Sequence, residues 1–185
     1  MPKVLVVLMA AALLAGCGSA DGDGGLTIEE PPPTSSGIPP TTLDPEEATK
    51  AEIVEAYRQA SEAFVAVGSD PDGQPDDPRL TEYKRGTALA AAQLAIHKWR
   101  ADGDVLKVTQ MEMNPTVVEF GPDTAVVEDC GIDVSALVDQ RTGEVVEPAG
   151  PPEPELYVAR YELFEGKWMQ NSFKDGMGSC VPPGS

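Results

Sequence analysis

Residues 105–134 read VLKVTQMEMNPTVVEFGPDTAVVEDCGIDV, and the reading of this stretch decides the fold. Residues 105–112 and 116–120 are strand-like. They form one long or bent strand, interrupted at Asn114-Pro115 because proline has no N–H to give to a ladder. Gly121-Pro122-Asp123 is a turn. Residues 124–134 then return, with Thr124, Val126, Cys130, Ile132 and Val134 on one face. Ala125, Val127, Asp129, Gly131 and Asp133 occupy the other face. The Cys130 face is the more apolar, so water is the default surrounding for Asp129. Downstream, Arg141-Thr142-Gly143-Glu144 is a second turn and residues 150–154 are a proline-rich break. Residues 156–164 and 167–173 flank Glu165-Gly166, a two-residue hairpin turn. The stretch and its continuation predict an antiparallel meander.

The chain ahead of the meander reads as helix. Asp44 is placed to cap, Pro45 suits a first helical position, and Glu46 and Glu47 favour the positive end of the dipole. Ile53, Tyr57, Ala60, Phe64 and Val67 follow at helical spacing and make one apolar face, closed by Gly68. Residues 69–78 form an Asp/Pro/Gly loop. Asp70, Asp72, Asp76 and Asp77 suggest a calcium loop, but Pro71 and Pro75 intervene and no glutamate closes the pattern, so a solvated turn is expected. One helical turn follows at 77–83. A further helix spans 87–101, with Leu89, Ala92, Ile96 and Trp99 on one face, and Asp102-Gly103-Asp104 breaks it. Helices first and strands after argue an α+β domain over 45–185, with helices packed on one face of a curved antiparallel sheet.

The N-terminus carries an address. Lys3 precedes an apolar run at 4–14, too short for a bilayer core that needs roughly 20 residues. The run fits the h-region of a secretory signal. Leu14-Ala15-Gly16-Cys17 resembles the lipobox of bacterial lipoproteins. That resemblance implies a signal peptide over 1–16, diacylation of Cys17, and a lipid anchor on the outer face of the bacterial cytoplasmic membrane. Two acyl chains suffice for stable anchoring where one does not. Residues 17–44 are rich in Pro, Gly, Ser and Thr and have little to bury, so a disordered tether is expected. Such a tether holds the domain several nanometres from the bilayer, at ~5–6 Å times the square root of its length where flexible.

The order of motifs resembles a known group. Asp76-Asp77-Pro78-Arg79-Leu80 is followed by Gly86-Thr87-Ala88-Leu89, then by Gly121-Pro122-Asp123-Thr124-Ala125-Val126-Val127-Glu128-Asp129-Cys130, and finally by Tyr161-Glu162-Leu163-Phe164-Glu165-Gly166-Lys167-Trp168. Over residues 48–175 the series is similar to actinobacterial secreted lipoproteins with an NTF2-like (SnoaL-like, cystatin-related) cone. The resemblance implies three helices cupped in a strongly bent antiparallel sheet, with a pocket between them. This fold hosts enzymes, binding modules and dimerisation domains, so it does not give the function, and a dimer stays open.

Several chemistries lack residues. Thirteen basic against 31 acidic residues give a net charge of −18, which opposes nucleic acid and anionic lipid patches. Spread through the chain, this charge serves solubility; an acidic docking face for a cationic partner is the alternative. The one histidine, His97, excludes a His pair and is expected on a helix flank. No GxSxG motif, phosphate loop or close Cys pair is present, and neither metal nor cofactor is expected. With Cys17 lipidated, Cys130 and Cys180 are left for a disulfide in an oxidising compartment. Tyr57, Trp99, Asp129 and Tyr161 are the candidate pocket residues, though aromatics are only 5% of the chain and most are needed for the core. The first expectation is a non-catalytic envelope module that binds a partner protein or an apolar small ligand. The alternative is a small-molecule isomerase or lyase using Asp129 as base with a tyrosine. Asp129 buried beside a tyrosine hydroxyl would favour the enzyme, and a cone plugged by its own side chains would favour the interaction module.

Overall fold

A computed structural model describes residues 44–184. The expected signal peptide, Cys17 and nearly all of the expected tether lie outside the described residues. Among the described residues no helix is long and apolar enough to cross a membrane.

Among the described residues, three helices come first. Helix α1 (Pro45–Ser69) starts where expected: the Asp44 carboxylate accepts from the Glu46 N–H at 3.0 Å, and Pro45 fills the first turn. Its buried face carries Ile53, Tyr57, Ala60 and Val67, with Phe64 half-buried. Helix α2 (Pro78–Tyr83) is one short piece capped by Asp77, whose carboxylate accepts from the Arg79 N–H at 2.9 Å. Helix α3 (Gly86–Asp102) ends at Gly103, which takes the left-handed conformation. The loop between α1 and α2 turns two of its acids onto an arginine. Asp70 and Asp77 hold Arg79, at 3.1 and 2.7 Å, and among the described residues no acid, His or Cys cluster is arranged to hold a metal.

The sheet has six strands, all antiparallel: β1 (Asp104–Glu112), β2 (Pro115–Phe120), β3 (Thr124–Asp139), β4 (Val145–Glu147), β5 (Glu155–Phe164) and β6 (Lys167–Lys174). The expected α+β class is observed, with helices packed on one curved antiparallel sheet. The break at Asn114-Pro115 also holds, and its consequence is larger than a bend. β1 pairs with the distal half of β3, from Ile132 to Asp139, while β2 pairs with the proximal half, from Ala125 to Asp129. One long strand thus carries two partners on one side, and the chain crosses between them opposite Asp129. Glu165 and Gly166 both take positive φ, 51° and 80°, in the β5–β6 turn.

Two expectations are corrected. β3 runs on past Val134 to Asp139, and residues 145–147 add a short strand to its end. The sheet face is also reversed. Ala125, Val127, Asp129 and Gly131 are buried, Ala125 and Val127 against Ile53 and Tyr57 of α1, whereas on the other face Val126 is buried but Thr124 is exposed and Cys130 and Ile132 are only half-buried. Both faces carry valines, so alternation alone could not separate them; the packing of α1 decided it.

The core is in two parts. Ile53, Tyr57, Val127, Ala159, Tyr161 and Trp168 join α1 to the sheet. Val67, Leu80, Ala92 and Ile96 join the three helices, with Phe64, Leu89 and Trp99 against them. Each fully buried aliphatic side chain stabilises by roughly 1.5–3 kcal/mol.

Cys130 and Cys180, 50 positions apart in sequence, are disulfide-bonded. The bridge holds the C-terminal tail along β5: the Leu156 N–H donates to the Gly178 carbonyl at 2.9 Å, and the Met177 N–H to the Leu156 carbonyl at 3.2 Å. Closing a loop of that length removes unfolded-state entropy equivalent to about 4 kcal/mol.

Candidate functional site

Between the helices and the concave sheet face lies a cavity of about 340 Å³. Its helical wall explains why it is open. α1 presents Ser61, Phe64 and Val65, but α3 presents Ala88, Ala91, Ala92 and Ala95. Those alanines recur at helical spacing, and larger side chains there would fill the space. Opposite them stand Met111, Ile132, Tyr157 and Phe173, with Tyr157 and Phe173 stacked at 6.0 Å between ring centroids. The size and the mostly apolar walls match small-molecule sites in general.

Two polar pairs interrupt the apolar wall. The first is Asp129, 2% exposed, with Tyr57. The Tyr57 hydroxyl donates to Asp129 Oδ2 at 2.8 Å, and the Asn114 backbone N–H donates to Asp129 Oδ1 at 2.5 Å. The Asn114 side chain meanwhile donates to the Cys130 carbonyl at 3.0 Å, so the β1–β2 crossing is latched to β3 at this carboxylate. Burial pushes the Asp129 carboxyl above the usual carboxylate range, opposed by the Asn114 and Tyr57 hydrogen bonds and by Arg58. Burial first, then the charge of Asp129, push the Tyr57 hydroxyl well above the ordinary tyrosine range, so it stays a donor.

The second pair is Lys84, 7% exposed, with the fully buried Gln170. The Lys84 ammonium donates to Gln170 Oε1 and lies 5.8 Å from the centre of the Phe64 ring. The backbone explains this placement. Lys84 follows α2 in a segment laid along β6, where the Arg85 N–H donates to the Gln170 carbonyl at 2.8 Å. The chain then turns into α3 at Gly86, whose φ is +52°; a Cβ there would stand 2.0 Å from Asn171 Oδ1. Burial alone pushes the Lys84 ammonium down to about 8. Gln170 Nε2 has no hydrogen-bond partner among the described residues.

Of the four pocket residues expected from sequence, Tyr57 and Asp129 line the cavity together. Trp99 does not. Its ring packs at a tilt against Phe64, 5.6 Å between centroids, and lies against Gly68 in the helical core. Tyr161, 1% exposed, is also absent from this cavity and borders a smaller one of about 220 Å³ with Arg160 and Asn171. Burial pushes the Tyr161 hydroxyl well above the ordinary tyrosine range, opposed by nearby Gln170, yet the two fall short of hydrogen-bond geometry and the hydroxyl has no partner among the described residues. His97 is exposed on α3, on the flank expected. Lys84 and Gln170 were not legible from sequence. Lys84 is one of several lysines, and only its docking on β6 buries it. The alanine stripe of α3 was the one available signal for an open wall.

No family model matches the sequence, and no curated protein does. Similar solved structures exist. The intermembrane space region of the chloroplast protein ARC6 superposes with a TM-score of 0.50 at 15% identity, over 74% of this chain and 98% of its own. The association domain of C. elegans CaMKII gives 0.41 at 16%, over 71% and 98%. An NTF2-like protein with a cystatin-like fold from Novosphingobium aromaticivorans gives 0.38 at 15%, over 72% and 90%. At such identities likeness concerns the fold alone.

Proposed function

We propose that this chain is an extracytoplasmic lipoprotein, anchored through Cys17 to the outer face of the bacterial cytoplasmic membrane, whose pocket takes a small, largely apolar ligand without transforming it. One observation carries the ligand reading: the space between helices and sheet is open, about 340 Å³, rather than plugged by side chains. The non-catalytic part rests on Asp129. Each of its oxygens already accepts a hydrogen bond from the protein, so the carboxylate braces α1 and the β1–β2 crossing against β3.

A second reading, an isomerase or lyase, is supported by both features named from sequence: Asp129 is buried beside a tyrosine hydroxyl, and the cone is not plugged by its own side chains. A buried carboxyl whose affinity for a proton is raised, touching a tyrosine hydroxyl on a pocket wall, has the parts of a base and an acid. The two readings separate in heavy water. A base that removes a proton next to a carbonyl would exchange it for deuterium. The full chain incubated with an apolar ketone such as 2-decalone should take up no deuterium above the uncatalysed rate, while naphthalene-1-carboxamide binds and the bulky Ala91→Trp abolishes that binding. Exchange that disappears in Asp129→Asn would establish the enzyme and overturn the binding-only reading.

A further inference from the structure

Lys84 is an anomaly in this chain. It is a cation with 7% exposure, on the wall of an apolar pocket, in a molecule of net charge −18, and among the described residues it forms no ion pair. An ammonium has three donors. Among the described residues its acceptor is the neutral Gln170 Oε1, and no carboxylate contributes to its protonation. Asp129 lines the same cavity but is engaged by Tyr57 and Asn114. Buried charge without a counter-charge is costly, and a wholly apolar residue would serve folding at least as well. Beside the ammonium, Gln170 is 0% exposed and its Nε2 is also without a partner.

We infer that the pocket is built for an apolar monocarboxylic acid, whose carboxylate enters and pairs with the Lys84 ammonium while its hydrocarbon body lies against the alanines of α3 and the Tyr157–Phe173 stack. This inference rests on the pocket being a ligand site. The mouth argues for one negative charge rather than two. Glu112, Asp133 and Asp175 line the same cavity and are exposed, so a phosphate dianion would meet three carboxylates on entry. A single carboxylate meets half that repulsion and recovers it against a cation in a low-dielectric wall. At neutral pH an ammonium with its proton affinity lowered to about 8 is still mostly charged, so it can act as the counter-ion.

The test compares naphthalene-1-carboxylate and decanoate with naphthalene-1-carboxamide and 1-naphthyl phosphate, titrated calorimetrically into the full chain at pH 7. The carboxylates should bind at least tenfold tighter than the amide, and the phosphate more weakly than the carboxylates. In Lys84→Met the carboxylates should fall to the affinity of the amide, which itself should not change. Lys84→Gln, which keeps a donor and removes the charge, replaces Lys84→Met if the latter does not fold. An amide that binds as tightly as the carboxylates in the unsubstituted protein would overturn the ligand class and leave the pocket reading standing. So would a carboxylate preference that survives the loss of Lys84, or a Lys84-dependent preference for the phosphate. If neither acid nor amide binds at all, the pocket reading falls and the inference with it.

Discussion

At the scale of the residue, Lys84 makes a prediction about stability as well as binding. Its ammonium is held down to about 8 in the folded protein against an ordinary value of 10.5. Between those values the unfolded chain binds a proton that the folded chain does not, so stability rises with pH across the window and is lost as pH falls through 8. At 1.36 kcal/mol per pH unit, the part of the window between pH 7.5 and 9.5 is worth about 1–2 kcal/mol. Above about pH 10 ionising tyrosines act in the opposite sense, because burial holds Tyr57 and Tyr161 protonated in the folded state. Urea unfolding at pH 7.5 and 9.5 should show the gain in the wild type and none in Lys84→Met. An equal gain in both proteins would mean that Lys84 does not carry it.

At the scale of the element, the end of α1, the acidic loop and the end of α3 are held by one side chain. The Arg100 guanidinium donates to the carbonyls of Gly73 at 2.8 Å, Asp104 at 2.7 Å, Val67 at 2.9 Å, Gly68 at 3.1 Å and Asp70 at 2.7 Å. Those carbonyls include ones that the last turn of a helix leaves unpaired. Arg100→Ala removes the donors and leaves the acceptors, and should cost about 2–4 kcal/mol in denaturant unfolding. Arg100→Lys should recover only part, because a point ammonium cannot reach so many acceptors in a fork. A loss below about 0.5 kcal/mol for Arg100→Ala would place Arg100 among ordinary surface residues. The helices themselves were readable because their signals are local: Asp44-Pro45 and Asp77-Pro78 at the starts, Gly103 at the last stop, and the Ile53-Tyr57-Ala60-Val67 spacing between. The buried face of β3 was not readable, because both of its faces carry apolar residues and the choice belongs to α1.

At the scale of the whole molecule, the proposed anchor and tether would make the pocket a surface-bound one. Cys17→Ser should move the protein from the membrane fraction to the soluble exported fraction, followed by fractionation and immunoblotting. Unchanged retention with a signal-sized product uncut would overturn cleavage and lipidation as the anchor. The disulfide acts at this scale too. Phe173 and Asp175 border the pocket, and the tail that follows them is carried on to Cys180 and bonded back to Cys130 beside Asp129. The bridge therefore closes the chain end against the strand that bears the buried carboxylate.

The amino-acid sequence by itself carried the lipobox-like pattern at Cys17 on which the anchor proposal rests, the helix-then-meander order, the break at Asn114-Pro115 and, with Cys17 set aside, the partnership of Cys130 and Cys180. These are readable because each depends on neighbours in the chain or on a count. Tertiary structure decided the rest. It turned Asp129 inward, moved Trp99 and Tyr161 away from the cavity, and buried Lys84 on Gln170, 86 residues on. Burial is a property of what packs above a residue, and no local pattern records it.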